Sequence, residues 1–176
     1  MATDVIANNN TINNNTTNNK TAVNAVSVEK NFTDSQIDDS KQYLVLRMGK
    51  QEYGVDIKNI MSIIDKDMHI TRVPKTVHYV KGVINLRGDI IPVINLRARL
   101  GLQEIEDTAD TRIVIIKFDE LVIGFIVDQI SEVVRLKDER IEKVNDFSTI
   151  PMEYVIGAGK IGERIVTILS VERLIE

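Results

Sequence analysis

Cysteine and tryptophan are both absent from this 176-residue chain. Without cysteine there is no disulfide, no thiolate nucleophile and no cysteine-built metal site. Proline occurs three times, and the aromatic side chains amount to four Phe and four Tyr. No apolar run approaches the roughly 18 to 20 residues of a membrane-crossing helix. The N-terminus lacks the basic-then-apolar pattern of a secretory signal. Neither charge dominates: 22 Lys and Arg stand against 26 Asp and Glu, a net charge of −4. A mildly acidic chain with so few rings has neither the basic footprint nor the stacking platform of a nucleic-acid binder. These absences point to a soluble, cytoplasmic protein with no direct membrane insertion. The length suits one domain or two small ones and suffices to bury a core.

The first forty residues differ in kind from the rest. Residues 1–20 hold eight asparagines interleaved with threonine, and up to Ser40 the one aromatic is Phe32. Such a segment buries too little apolar surface to offset its chain entropy, so 1–40 reads as a disordered Asn/Thr-rich tail. From Lys41 onward there are 23 Ile and 16 Val but only three Ala. Branching at the β-carbon suits a pleated surface and costs rotamer freedom in a helix, so 41–176 reads as mainly β. Short apolar runs agree, among them Tyr43–Met48, Arg112–Phe118, Leu121–Val127 and Arg164–Leu169. Turn residues bound them: Gly49-Lys50, Asp119-Glu120 and Gly162-Glu163. Arg87-Gly88-Asp89 reads as a hairpin turn between Val80–Leu86 and Ile90–Ile94. Pro92 inside the second run predicts an edge strand or a bulge, because proline donates no ladder hydrogen bond. Helical signals are short. Asn95 and Ser170 read as caps, and Asp56–Ile60 as a possible single turn.

The body repeats itself. Tyr53–Ile64 aligns with Ile123–Val134, matching Gly54 to Gly124 and Ile60 to Ile130. Gly88–Leu96 aligns with Gly162–Val171 once a residue is inserted at Arg164, and Gly82 matches Gly157. Chance likeness among Ile/Val-rich strands does not account for turns and caps that correspond as well. Each copy holds about five short strands and a small helix, a size that closes into a small barrel and hides its edges.

Catalytic and metal chemistry leave little trace. The two histidines, His69 and His78, lack ligand spacing and read as loop residues. No serine sits in a nucleophile elbow. Gly157-Ala-Gly159-Lys-Ile-Gly162 fits the G-x-G-x-x-G pattern, which binds a pyrophosphate when it follows a strand and opens a helix. Here Glu163–Leu169 reads as a strand, so these glycines are expected to serve a tight hairpin instead. Neither a cofactor nor a metal is expected. Arg87 at its turn reads two ways: as a plain surface charge, which spacing alone favours, or as a partner anchor, since arginine is enriched at binding hot spots.

The strings Glu52–Ile57, Val80–Arg97, Gly124–Asp128, Gly157–Gly159 and Glu172–Leu174, in that order, resemble the CheW family of chemotaxis coupling proteins. The resemblance covers essentially all of 41–176 and omits the tail; its most specific block is Gly82–Arg97. It implies two similar five-stranded small barrels packed together, with intertwined boundaries and a few short helices. It implies no catalysis. It implies a scaffold that joins the cytoplasmic tips of methyl-accepting chemoreceptors to the histidine kinase CheA, pairing end to end with the kinase's similar regulatory domain and taking receptor helices between the barrels. Recruitment to membrane-bound receptor arrays follows from that role. By the same resemblance Arg87, Ile60, Ser62, Gly82, Ile130, Val133 and Gly157 are partner-binding positions. The family often carries a glutamate where this chain has Ser62. A same-fold alternative is a regulatory module of a larger signalling protein. A third reading is a nucleotide-binding enzyme using Gly157–Gly162.

Overall fold

The computed structural model describes residues 39–144 and 149–176. The segment read as a disordered tail lies outside the described residues up to position 38. Among the described residues, eleven strands and two short α-helices follow one another as β1 (Lys41–Met48), β2 (Gln51–Asp56), β3 (Ile60–Asp65), β4 (Val80–Leu86), β5 (Asp89–Asn95), α1 (Leu96–Arg99), β6 (Arg112–Phe118), β7 (Leu121–Val127), β8 (Gln129–Leu136), β9 (Ile141–Glu142), β10 (Val155–Ile161), β11 (Arg164–Leu169) and α2 (Val171–Ile175). Asp56 caps a 3₁₀ turn at Ile57–Asn59, and the Asn95 and Ser170 side chains accept from Ala98 and Arg173 amides as helix caps.

The strands form two sheets, ordered β8-β1-β2-β11-β10-β9 and β3-β6-β7-β5-β4. Each sheet curls around a core of its own. In the first, Tyr43, Val45, Val134, Leu136, Val166 and Ile168 meet from β1, β8 and β11. In the second, Ile84, Ile91, Val93, Ile113 and Ile115 meet from β4, β5 and β6. The alternate residues of the same strands face a third core between the sheets, which takes Leu44 and Leu46 from β1 and Val114 and Ile116 from β6. Strands buried on both faces explain why these segments read as continuous apolar runs. Curvature is visible in the polar contacts as well. Arg164 on β11 bonds Glu132 on β8 at 2.5 Å, although β1 and β2 separate those strands in the sheet. In a flat sheet, three strand spacings put them roughly 14 Å apart. The fold is therefore mainly β with two small barrels; the first has six strands rather than five, because β9 joins its edge.

One copy of the repeat does not make one barrel. β1 and β2 from the first copy sit with β8–β11 from the second, and β6 and β7 from the second sit with β3–β5 from the first. The copies exchange their opening hairpins, joined by two equivalent parallel seams, β2 with β11 and β5 with β7. The internal symmetry extends to single hydrogen bonds. Asn95 N donates to Tyr79 O at 2.8 Å and Ser170 N to Tyr154 O at 2.9 Å. The structure also corrects the alignment: the turns Arg87-Gly88 and Gly162-Glu163 correspond residue for residue, so no insertion at Arg164 is needed.

Two further expectations change. β5 lies inside its sheet, not at an edge. Pro92 is tolerated because Val83, opposite it, uses its own N–H and C=O on Thr71, both at 2.8 Å. The pair is thus not hydrogen-bonded, and the missing donor of Pro92 points toward β7, where parallel pairing starts only at Val93. The Gly-rich segment differs as well. Gly157 and Gly159 lie within β10, and only Gly162 is in the turn, with φ +60°. A Cβ on Gly157 would stand 2.6 Å from Glu142 O, and one on Gly159 2.5 Å from Leu136 Cδ1. These glycines let neighbours approach closely, and β11 follows them where a pyrophosphate loop requires a helix.

An ion pair ties the two halves. Arg97 donates through Nε and Nη2 to Asp128 at 2.7 and 2.5 Å, and Asp128 also accepts from the Gly49 amide at 2.9 Å. Both side chains are largely buried, at 13% and 18% exposure. The Asp128 hydrogen bond is the main cause that raises the Arg97 pKa above its ordinary value. Removing one partner strands the other charge. Asp128→Ala is expected to cost about 3 kcal/mol in a urea melt, whereas Asp138→Ala at the exposed Lys41–Asp138 pair is expected to cost under about 1 kcal/mol.

Candidate functional site

Arg87 and Gly88 form a two-residue hairpin loop with φ +56° and +102°, the positive pair that suits right-twisted strands. The Asn85 side chain accepts from the Gly88 amide at 2.9 Å and locks the turn. A non-glycine residue at positive φ is strained by about 1–2 kcal/mol, so glycine would be the easier occupant if the turn alone mattered. Arg87 is exposed and has no hydrogen-bond or ion-pair partner among the described residues.

The hairpin opens onto a groove of about 500 Å³ at the mouth of the second barrel. Ser62 lines it from β3 together with Arg87, so the barrel brings the sheet's two edge strands face to face. Asp89 and Glu120 add two carboxylates, and Met61 and Ile90 add apolar surface, 57% and 64% exposed. The mouth of the first barrel is built differently. Arg47, Lys50, Glu52, Arg164 and Ile165 line a groove there. Glu52, only 9% exposed, receives Arg164 at 3.2 Å and Arg47 at 3.4 Å on one oxygen, and Arg164 also reaches Glu132. The Glu132 hydrogen bond is the largest cause that raises the Arg164 pKa.

The other sequence-predicted positions are scattered. Ile60 and Ile130 are half-buried equivalents on the margin of the inter-sheet core, paired with Ile116 and Leu46. Val133 on β8 is 45% exposed, opposite Leu44. Gly82 and Gly157 are buried equivalents in β4 and β10. They present no side chain to a partner and act by what they leave out. Sequence reasoning missed Met61, Ile90, Asp89 and Glu120. An exposed Ile or Met in an Ile/Val-rich strand carries no mark of exposure, and only sheet curvature places these four beside Arg87.

Comparison with known proteins adds an independent line. Residues 42–176 match the CheW-like domain. The chain is 35% identical over 136 residues to the chemotaxis protein CheW of Klebsiella aerogenes, covering 77% of this chain and 81% of that one. It is 36% identical over 135 residues to CheW of Helicobacter pylori, with the same two coverages, 77% and 81%. A solved structure, that of the scaffolding protein TtCheW from Thermoanaerobacter tengcongensis, superposes with a TM-score of 0.72 at 33% identity, covering 78% of this chain and 88% of that one.

Proposed function

This chain belongs to the CheW family of chemotaxis coupling scaffolds, and from that premise we propose that residues 41–176 join the histidine kinase CheA to the cytoplasmic tips of methyl-accepting chemoreceptors, without catalysis of their own. The protein works in the cytoplasm at membrane-bound receptor arrays; no helix among the described residues is long and apolar enough to cross a membrane. The observation that carries this reading is Arg87, a cation unpaired among the described residues and held at a strained turn beside exposed apolar side chains. Stability does not ask for it, and a protein partner does. The mouths at the two barrels suit end-to-end pairing with a similar domain, and the margin marked by Ile60 and Ile130 suits receptor helices.

The test is a pull-down with a purified CheA regulatory domain and a receptor cytoplasmic fragment, separately and together. The chain is expected to retain each alone and to bring both down in one complex. Retention of neither sinks the proposal. Retention of the kinase domain alone would leave a kinase accessory rather than a coupler.

A further inference from the structure

The two short helices meet where the halves of the chain meet. The register that sets Gly82 on Gly157 also sets Tyr79 on Tyr154, Asn95 on Ser170 and Arg99 on Leu174. Arg99 Nε donates to the carbonyl of Leu174 at 3.0 Å. Two equivalent residues thus touch, as they do beside an axis that relates two like units. Arg99 Nη2 donates to the carbonyl of Arg173 at 3.1 Å. The guanidinium carbon lies 4.8 Å from the centre of the Tyr79 ring and 5.2 Å from that of Tyr154, so the equivalent tyrosines share one cation. One half alone can do this, because the second copy carries in place of Arg99 the apolar Leu174, 1% exposed.

The helix that receives these bonds needs them. α2 has five residues, too few to persist alone, and its last carbonyls have no partner within the helix. Arg99 supplies donors to two of them and a positive charge at the negative end of the helix dipole. Val171 and Leu174 of α2 are buried in the inter-sheet core with Leu96 and Leu100 from α1. Ile60 and Ile130 pack on that same core. The second mouth, by contrast, includes Ile91 of its barrel's own core.

We propose that Arg99 is a latch and a positioning residue: it holds α2 as a lid on the inter-sheet core, and through that core it sets the margin that takes receptor helices. The latch stands on the geometry alone; the role at the margin rests on the coupling reading and deepens it.

Hydrogen exchange of the full chain reads the lid without a partner. The Leu174 and Glu176 amides donate to Ser170 O and Glu172 O and report its opening. Arg99→Met, of similar length and good helix propensity, is expected to speed their exchange about tenfold or more while leaving the β6–β7 ladder within about twofold. Arg99→Lys keeps a cation and a donor without the fork and should recover most of the protection. Ile91→Val, in the second barrel's own core, is the control for general destabilisation and should not single out the α2 amides. In the second arm Arg99→Met is expected to weaken the receptor fragment about fivefold or more and to leave the kinase domain within about twofold. Wild-type protection of α2 in Arg99→Met overturns the latch, and exchange as fast in Arg99→Lys as in Arg99→Met overturns the part played by the cation. Should Arg99→Met fail to fold, Tyr79→Leu removes one ring and leaves both carbonyl bonds, and unchanged α2 protection there overturns the shared-cation arrangement. A loosened α2 with undiminished receptor affinity, or an equal loss toward both partners, overturns the positioning role while the coupling reading stands. A wild-type chain that binds neither fragment overturns the coupling reading and the positioning role with it, and the exchange arm alone decides the latch.

Discussion

Gly82→Ala is expected to lower the melting temperature by about 10–15 °C and to cost roughly 3–4 kcal/mol. Gly82 sits in β4 with φ +147°, where an L side chain is strained, and a Cβ there would lie 2.2 Å from Thr71 O. That neighbour is backbone, so it cannot swing aside as a flexible side chain would. Thr71 is held by two hydrogen bonds to Val83, both at 2.8 Å, and the added methyl must push this strap away. Losing two hydrogen bonds at about 1 kcal/mol each and adding about 1–2 kcal/mol of backbone strain gives the stated total. Differential scanning calorimetry checks it. Gly162→Asn is the control: φ is +60°, which asparagine tolerates, and nothing lies within 4 Å of a Cβ. It is expected to shift stability by no more than about 0.5 kcal/mol. A melting curve for Gly82→Ala that overlays wild type would mean the strap does not need the glycine.

Arg87→Ala is expected to do the opposite: unchanged stability and a large loss of binding. The residue is exposed and unpaired among the described residues, so its removal should move stability by under about 0.5 kcal/mol. Alanine inherits the same strain at φ +56°, whereas Arg87→Gly should relieve it and raise stability by about 1 kcal/mol. Removal of a hot-spot arginine costs about 2 kcal/mol or more of binding, some thirtyfold in affinity. Titration calorimetry with the kinase domain and the receptor fragment reads this directly. Lys117→Ala and Lys137→Ala, exposed cations elsewhere, should change neither stability nor affinity. If Arg87→Ala binds both partners as tightly as wild type, the role assigned to this arginine is wrong. If it binds weakly only because it is unfolded, its role is structural.

The amino-acid sequence by itself determined the material of the fold. An Ile/Val-rich, Ala-poor body favours strands over helices for burying its apolar surface, and the turn residues between runs set the hairpins almost to the residue. Local caps such as Asn95 and Ser170 were legible because a helix end needs an acceptor within three residues. The duplication was legible because turns and caps recur in order. Arg87 could be singled out, though spacing alone made it a plain surface charge. Only the tertiary structure decided which hairpin joins which barrel. Exchanged and unexchanged arrangements use the same local turns and the same alternation, and they differ only in long-range seams such as β2 with β11. The same holds for Pro92, whose tolerance depends on Thr71 occupying Val83, and for Gly157 and Gly159, whose need for a bare backbone comes from Glu142 and Leu136, remote in the chain. Charge pairing was likewise a tertiary matter. Glu132 and Arg164 meet because the sheet curls. Alternation along a strand says which residues share a face; it carries no term for how far that face bends, and the bend is what builds a mouth.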